Sequence, residues 1–174
     1  LGLNTWHAYR AITDSNNQAL FLGEPNFSPV VWEARGYQPC AHYASSLAPN
    51  VDQIESAERR GHALKSQGWT IRNMEAFESF DSALHCFYNL SIASFANAFA
   101  YTPIDRDAFN ELYAPVQSIF DPRMVLTAFS PEGEPAGFCF SIPDRLNPSL
   151  GQFIVKTLVV EPRFREHGLG SWLT

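Results

Sequence analysis

Hydrophobic positions along the chain change rhythm twice, and each rhythm predicts a kind of element. Val51, Ile54, Ala57, Gly61 and Leu64 follow one another at helical spacing with charges between them, so residues 49–67 read as a helix that Gly68 stops. Trp69, Ile71 and Asn73 alternate with Thr70 and Arg72, which predicts a short strand. Phe80, Leu84, Phe87, Ser91 and Phe95 fall on one face of a second helix. Asp105 is a cap for a third, with Phe109, Leu112, Tyr113 and Val116 as its apolar stripe. The period then drops to two. Met124 to Phe129 and Gly137 to Ile142 are strand-like and joined by the turn-rich segment from Ser130 to Pro135. Gln152 to Val160 is a nearly unbroken apolar run, which predicts a central strand covered on both faces. Pro162 closes it, and Gly168 and Gly170 open a last helix.

Residues 1–48 lack a long periodic stretch but are rich in aromatics. Leu20 to Leu22 reads as a short strand stopped by Gly23 and Pro25. Pro29 sits where a helix begins, Val30, Val31, Trp32 and Ala34 form it, and Gly36 ends it. Cys40 to Ser45 reads as another strand, and Pro49-Asn50 breaks the chain.

Composition narrows the function more than the fold. With 45% hydrophobic and 17% charged residues, 174 residues bury a real core and are not a disordered polymer. Twelve basic against 18 acidic residues give a net charge of −6, which excludes a general nucleic-acid or anionic-membrane binder. All the basic residues except Lys65 and Lys156 are arginine, the better fork for phosphate or carboxylate. No run of about 18 apolar residues and no basic-then-apolar leader is present, so a cytoplasmic setting is the expectation. Cys40, Cys86 and Cys139 are too few and too widely spaced for a zinc site. Neighbouring His85 and Cys86 point to different sides of their helix, so no metal is expected.

The chemistry is concentrated at the end. Arg165-x-x-Gly168-x-Gly170 follows a buried strand directly and opens a helix. Successive backbone N–H groups converge in a turn that only glycine makes without steric cost, and a helix start adds its positive end. Pyrophosphate is the natural guest, and Arg165 either adds charge or anchors the loop. The plain alternative is an ordinary tight strand-to-helix turn. The spacing fits neither the dinucleotide fingerprint nor the P-loop.

The segment from Val155 to Trp172 resembles motif A of the GNAT acyl-CoA N-acyltransferase superfamily. The resemblance covers 69–174 and implies an α/β fold with a mixed, mainly antiparallel sheet flanked by helices. It implies acetyl-CoA or another acyl-CoA as cofactor. The backbone of Leu158, Val159 and Val160 would hold the pantetheine arm. The amides of Glu166, His167, Gly168, Leu169, Gly170 and Ser171, with Arg165, would hold the pyrophosphate. It also implies transfer of an acetyl group to a small-molecule or peptide amine.

The same resemblance marks what is missing. Such a domain continues beyond motif A with further strands and a helix that carry a tyrosine acid and the second wall of the cleft. Residues 1–48 resemble the closing part of such a domain. The expected organisation is therefore 1–48 as the end of a first domain, 49–67 as a linker helix, and 68–174 as the start of a second, in a fragment of a tandem protein. The N-terminal part could complete the C-terminal part within one chain or between two copies by strand or half-domain swapping. Little activity is expected of the chain alone, and a non-catalytic CoA-binding or interaction module is the alternative.

For catalysis, an ammonium acceptor must first lose a proton. Glu161 is the nearest carboxylate to the strand, though a solvated loop residue is its plainer role. Tyr101 lies beyond the 80–95 helix, where the family often lines its acceptor site, but aromatics there also serve as core. Lys156 interrupts the apolar strand and would either select a carboxylate-bearing acceptor or snorkel to water.

Overall fold

The computed structural model describes residues 29–38, 52–99, 101–118, 121–144 and 148–174. The elements, in chain order, are α1 (Pro29–Glu33), α2 (Asp52–Ser66), β1 (Thr70–Asn73), α3 (Phe80–Phe95), α4 (Arg106–Tyr113), β2 (Val125–Phe129), β3 (Pro135–Pro143), β4 (Phe153–Val160) and α5 (Leu169–Leu173). The strands form one antiparallel sheet in the order β1-β2-β3-β4. The fold is thus mixed α/β, an antiparallel sheet flanked by helices. The strands expected at Leu20 to Leu22 and Cys40 to Ser45 lie outside the described residues.

Local signals place the helix starts. Asp105 accepts a hydrogen bond from the Ala108 N–H at 2.8 Å and caps α4, as its sequence position implies. Ser79 caps α3 in a reciprocal pair with Ser82, both bonds 3.1 Å. At the ends of α1 and α2, Gly36 and Gly68 take positive φ values of 85° and 90°, the conformation that glycine adopts without a Cβ penalty.

Each face of the sheet has its own core. On one, α3 and α4 bring Leu84, Phe87, Leu90 and Phe109 against Val125, Phe138 and Val159. The Phe87 and Phe138 rings stack with centroids 4.6 Å apart. Each such buried ring contributes about 1.5–3 kcal/mol. On the other face, Leu64 of α2 and Leu169 and Leu173 of α5 pack on Trp69, Ala128, Ala136 and Cys139. Small residues on β2 and β3 let those helices come close. Gly61 does the same between helices, since a Cβ there would stand 2.4 Å from Nε1 of the Trp172 indole.

The strand covered on both faces is β3, with Ala136, Phe138 and Cys139 all buried. The apolar run at 152–160, expected in the centre, forms β4 at the sheet's edge among the described residues. Phe153, Val155 and Leu158 stay 58%, 44% and 40% exposed. An apolar run records that a strand is made to be covered; it does not say which described element covers it. Leu112 also departs from its predicted stripe, at 61% exposure, because α4 turns only Phe109 and Tyr113 toward α3 and the sheet.

Candidate anion-binding turn and open strand edge

The end of β4 sets the geometry of the site. The Glu161 N–H donates to the Ala136 carbonyl at 2.9 Å, and Gly137 is the Cα partner of Val160. Hydrogen-bonded and non-hydrogen-bonded pairs alternate along an antiparallel ladder. Val159 therefore bonds toward β3, while the N–H and C=O groups of Leu158 and Val160 point to the open edge. A bulge shifts the register between Phe140 and Ser141, whose partners are Thr157 and Val155. Lys156 is the extra residue of that bulge. It is exposed and sits beside the open edge, where a lysine and a bulge both discourage strand addition.

The Val160 carbonyl already has protein donors. Ser94 Oγ reaches it from α3 at 3.3 Å, and Arg165 Nε at 3.2 Å. Arg165 Nη2 also donates to the Ser94 carbonyl at 3.2 Å. Of the two roles that the sequence leaves to Arg165, anchoring is the one this geometry supports. Ser94 carries no motif, and only the fold brings it to a strand 66 residues away.

Beyond β4 the chain makes a 3-10 turn, Pro162–His167, and reverses at Gly168, whose φ and ψ are 77° and 23°. No side chain caps the start of α5. The N–H groups of its first residues have no partner within the helix. The two motif glycines are not equivalent. Gly168 needs its positive φ, and a Cβ on it would lie 2.4 Å from Nη1 of Arg60 on α2. A Cβ on Gly170 would only touch Leu158 and Val160 at 3.9 Å, an ordinary contact. Leu169 is fully buried in the second core, whereas Glu166, His167 and Ser171 are exposed. The His167 ring lies against Trp69, centroids 4.9 Å apart.

Among the described residues no hydrogen bond, ion pair or ring contact joins the expected catalytic groups Glu161, Tyr101 and Lys156 to one another. Glu161 accepts from Arg163 Nε at 2.6 Å, and Arg163 also pairs with Glu134 at 3.0 Å. Tyr101 stacks on Phe95, centroids 5.9 Å apart, and desolvation, then the neighbouring Tyr88, raise its pKa. Burial raises the Cys86 thiol to about 11, which makes it a poor nucleophile at neutral pH. His85 meets Asn89, 3.3 Å away, and not Cys86. Among the described residues no group of three metal-binding side chains occurs, and no helix is long and apolar enough to cross a membrane. Between α3, α4 and the sheet, a cavity of about 20 Å³ is lined by Leu84, Phe109, Tyr113, Phe140 and Thr157. That is room for about one water and not for an acceptor molecule.

No family model matches the sequence, and no curated protein matches it. Among solved structures the chain is similar to a GCN5-related N-acetyltransferase from Sphaerobacter thermophilus. The identity is 18% and the TM-score 0.47, and the match covers 62% of this chain and 30% of that one. The chain therefore spans under a third of the length of that protein.

Proposed function

We propose that this chain carries the acyl-CoA-binding part of a GNAT-type N-acyltransferase, which moves an acetyl group from acetyl-CoA to a small-molecule or peptide amine. One observation carries the reading: an αL glycine turn follows, after a single 3-10 turn, a strand whose outward backbone groups are open at Leu158. The turn would receive the pyrophosphate. The peptide-like amides of the pantetheine arm would pair with Leu158 as a short extra strand. Leu158, Val159, Val160 and residues 165–171 thus form the binding stretch, with Val159 and Leu169 holding it to the core.

In the reaction the neutral amine attacks the thioester carbon, the C–S bond breaks, and the thiolate takes up a proton while the amine gives one up. Backbone donors at the strand edge would stabilise the oxyanion. Among the described residues no hydrogen bond, ion pair or ring contact joins Tyr101, Lys156 and Glu161 to one another, so the chain by itself is expected to bind more readily than it turns over. That arrangement favours the second reading, a CoA-binding module without catalysis. The part of the open edge beyond the Lys156 bulge, at Leu158, is also where a strand from residues 1–48 or from a second copy would add, and gel filtration distinguishes the two. A cytoplasmic setting accompanies this reading.

Calorimetric titration with CoA and acetyl-CoA tests the binding claim, and thiol release with an amine panel tests turnover. Turnover with any amine removes the second reading, and binding without turnover is what both readings expect of the chain alone. No binding at millimolar CoA removes both.

A further inference from the structure

The corner around Gly168 gathers three arginines and a histidine, and the structure employs them differently. Arg165 spends Nε and Nη2 on the carbonyls of Val160 and Ser94. Arg163 is held by Glu161 and Glu134. The His167 ring lies on Trp69. Arg60 is the exception. It reaches over from α2, and its Nη1, Cδ and Cζ stand 2.4, 2.9 and 3.2 Å from where a Gly168 Cβ would be. Its side chain is exposed. Among the described residues it has no hydrogen bond or ion pair. A cation held against a backbone turn but left without an anion has its full donor set available to one.

We infer that Arg60 is a phosphate-binding residue, the cation that meets a pyrophosphate at the Gly168 turn, and that Arg165 and Ser94 are positioning residues that hold the turn to β4 and α3. The inference rests on the CoA reading above and extends it to a helix outside the motif. It also accounts for Gly168 on a second ground. Any side chain there would push the Arg60 guanidinium off the turn.

The test compares three probes by calorimetry: CoA, pantetheine (the arm without its pyrophosphate) and inorganic pyrophosphate. The variants are Arg60→Gln, Arg60→Lys and Arg165→Gln, each with its melting temperature. Arg60→Gln is expected to weaken CoA and pyrophosphate about tenfold. It should leave pantetheine within about twofold, reduce the sensitivity of CoA binding to salt, and leave melting unchanged because the side chain is exposed. Arg60→Lys should recover part of the loss. Arg165→Gln should lower melting and weaken CoA and pantetheine alike. Unchanged CoA and pyrophosphate affinity in Arg60→Gln overturns the assignment while the CoA reading stands. An equal loss for pantetheine overturns it too, since it would place Arg60 in positioning. If the unaltered chain binds pyrophosphate but not CoA, the cofactor reading fails and the pyrophosphate arm alone decides on Arg60. If it binds neither, both fail.

Discussion

Gly137 tests the geometry of the strand edge without any assumption about function. It lies on β3 opposite Val160, and a Cβ added to it would stand 2.4 Å from the Val159 carbonyl oxygen and 3.1 Å from the Val160 Cα. Both are backbone atoms of a strand already fixed by the ladder, so no side-chain rotation relieves the clash. β3 and β4 must part by several tenths of an ångström. That strains the hydrogen-bonded pairs on either side, Glu161 with Ala136 and Val159 with Phe138. Overpacking of this kind costs about 1–3 kcal/mol. Alanine returns about 0.4–1 kcal/mol by stiffening the unfolded chain. Gly137→Ala is therefore expected to lose about 1–2 kcal/mol, read as a drop of roughly 0.5–1 M in the urea midpoint. Gly133→Ala is the control. It meets nothing within 4 Å, and its φ of 84° leaves only the left-handed penalty of about 1–2 kcal/mol, partly returned in the same way. If Gly137→Ala proves as stable as the unaltered chain, the β3–β4 register is wrong, and with it the outward direction of the Leu158 backbone.

The two motif glycines should separate in the same assay: Gly168→Ala is expected to destabilise by about 1–2 kcal/mol from its positive φ, whereas Gly170→Ala should be neutral or up to about 1 kcal/mol stabilising. Equal effects would contradict the geometry of the turn. Ser79→Ala removes the α3 cap and should cost about 1 kcal/mol in chemical denaturation; no loss would mean that the pair with Ser82 contributes nothing. Cys86, raised to about 11 by burial, should react with iodoacetamide at pH 8 far more slowly than a free thiol, and a rate matching glutathione would refute its burial. Hydrogen bonds from Arg123, first its side chain and then its backbone, hold the Asp121 carboxyl at about 2. A depressed carboxyl pKa contributes stability above the unfolded value near 4 and loses it as the pH falls toward 2. Carboxyl chemical shifts followed through that window should place the Asp121 midpoint near 2, and a midpoint near 4 would break the proposed pair.

Much of the architecture was legible in the chain because it depends on local rules. The 3.6-residue stripe of α3, the Asp105 cap, the alternating strands around Ser130–Pro135 and the stops at Gly36 and Gly68 need only neighbours in sequence. The turn at Gly168 was legible for the same reason, since positive φ and glycine go together. Which strand lies at an edge was not, because apolar content reports how much a strand can bury and not what stands beside it. Nor was the fate of the arginines. The sequence leaves Arg165 to add charge or to anchor the loop, and only the fold turns its guanidinium to two backbone carbonyls, while Arg60, one of the charges between the apolar positions of its helix, lies on the turn. Those assignments depend on α2, α3 and the end of β4 meeting at one corner from distant parts of the sequence, and only close packing around a twisted sheet decides which side chains share it.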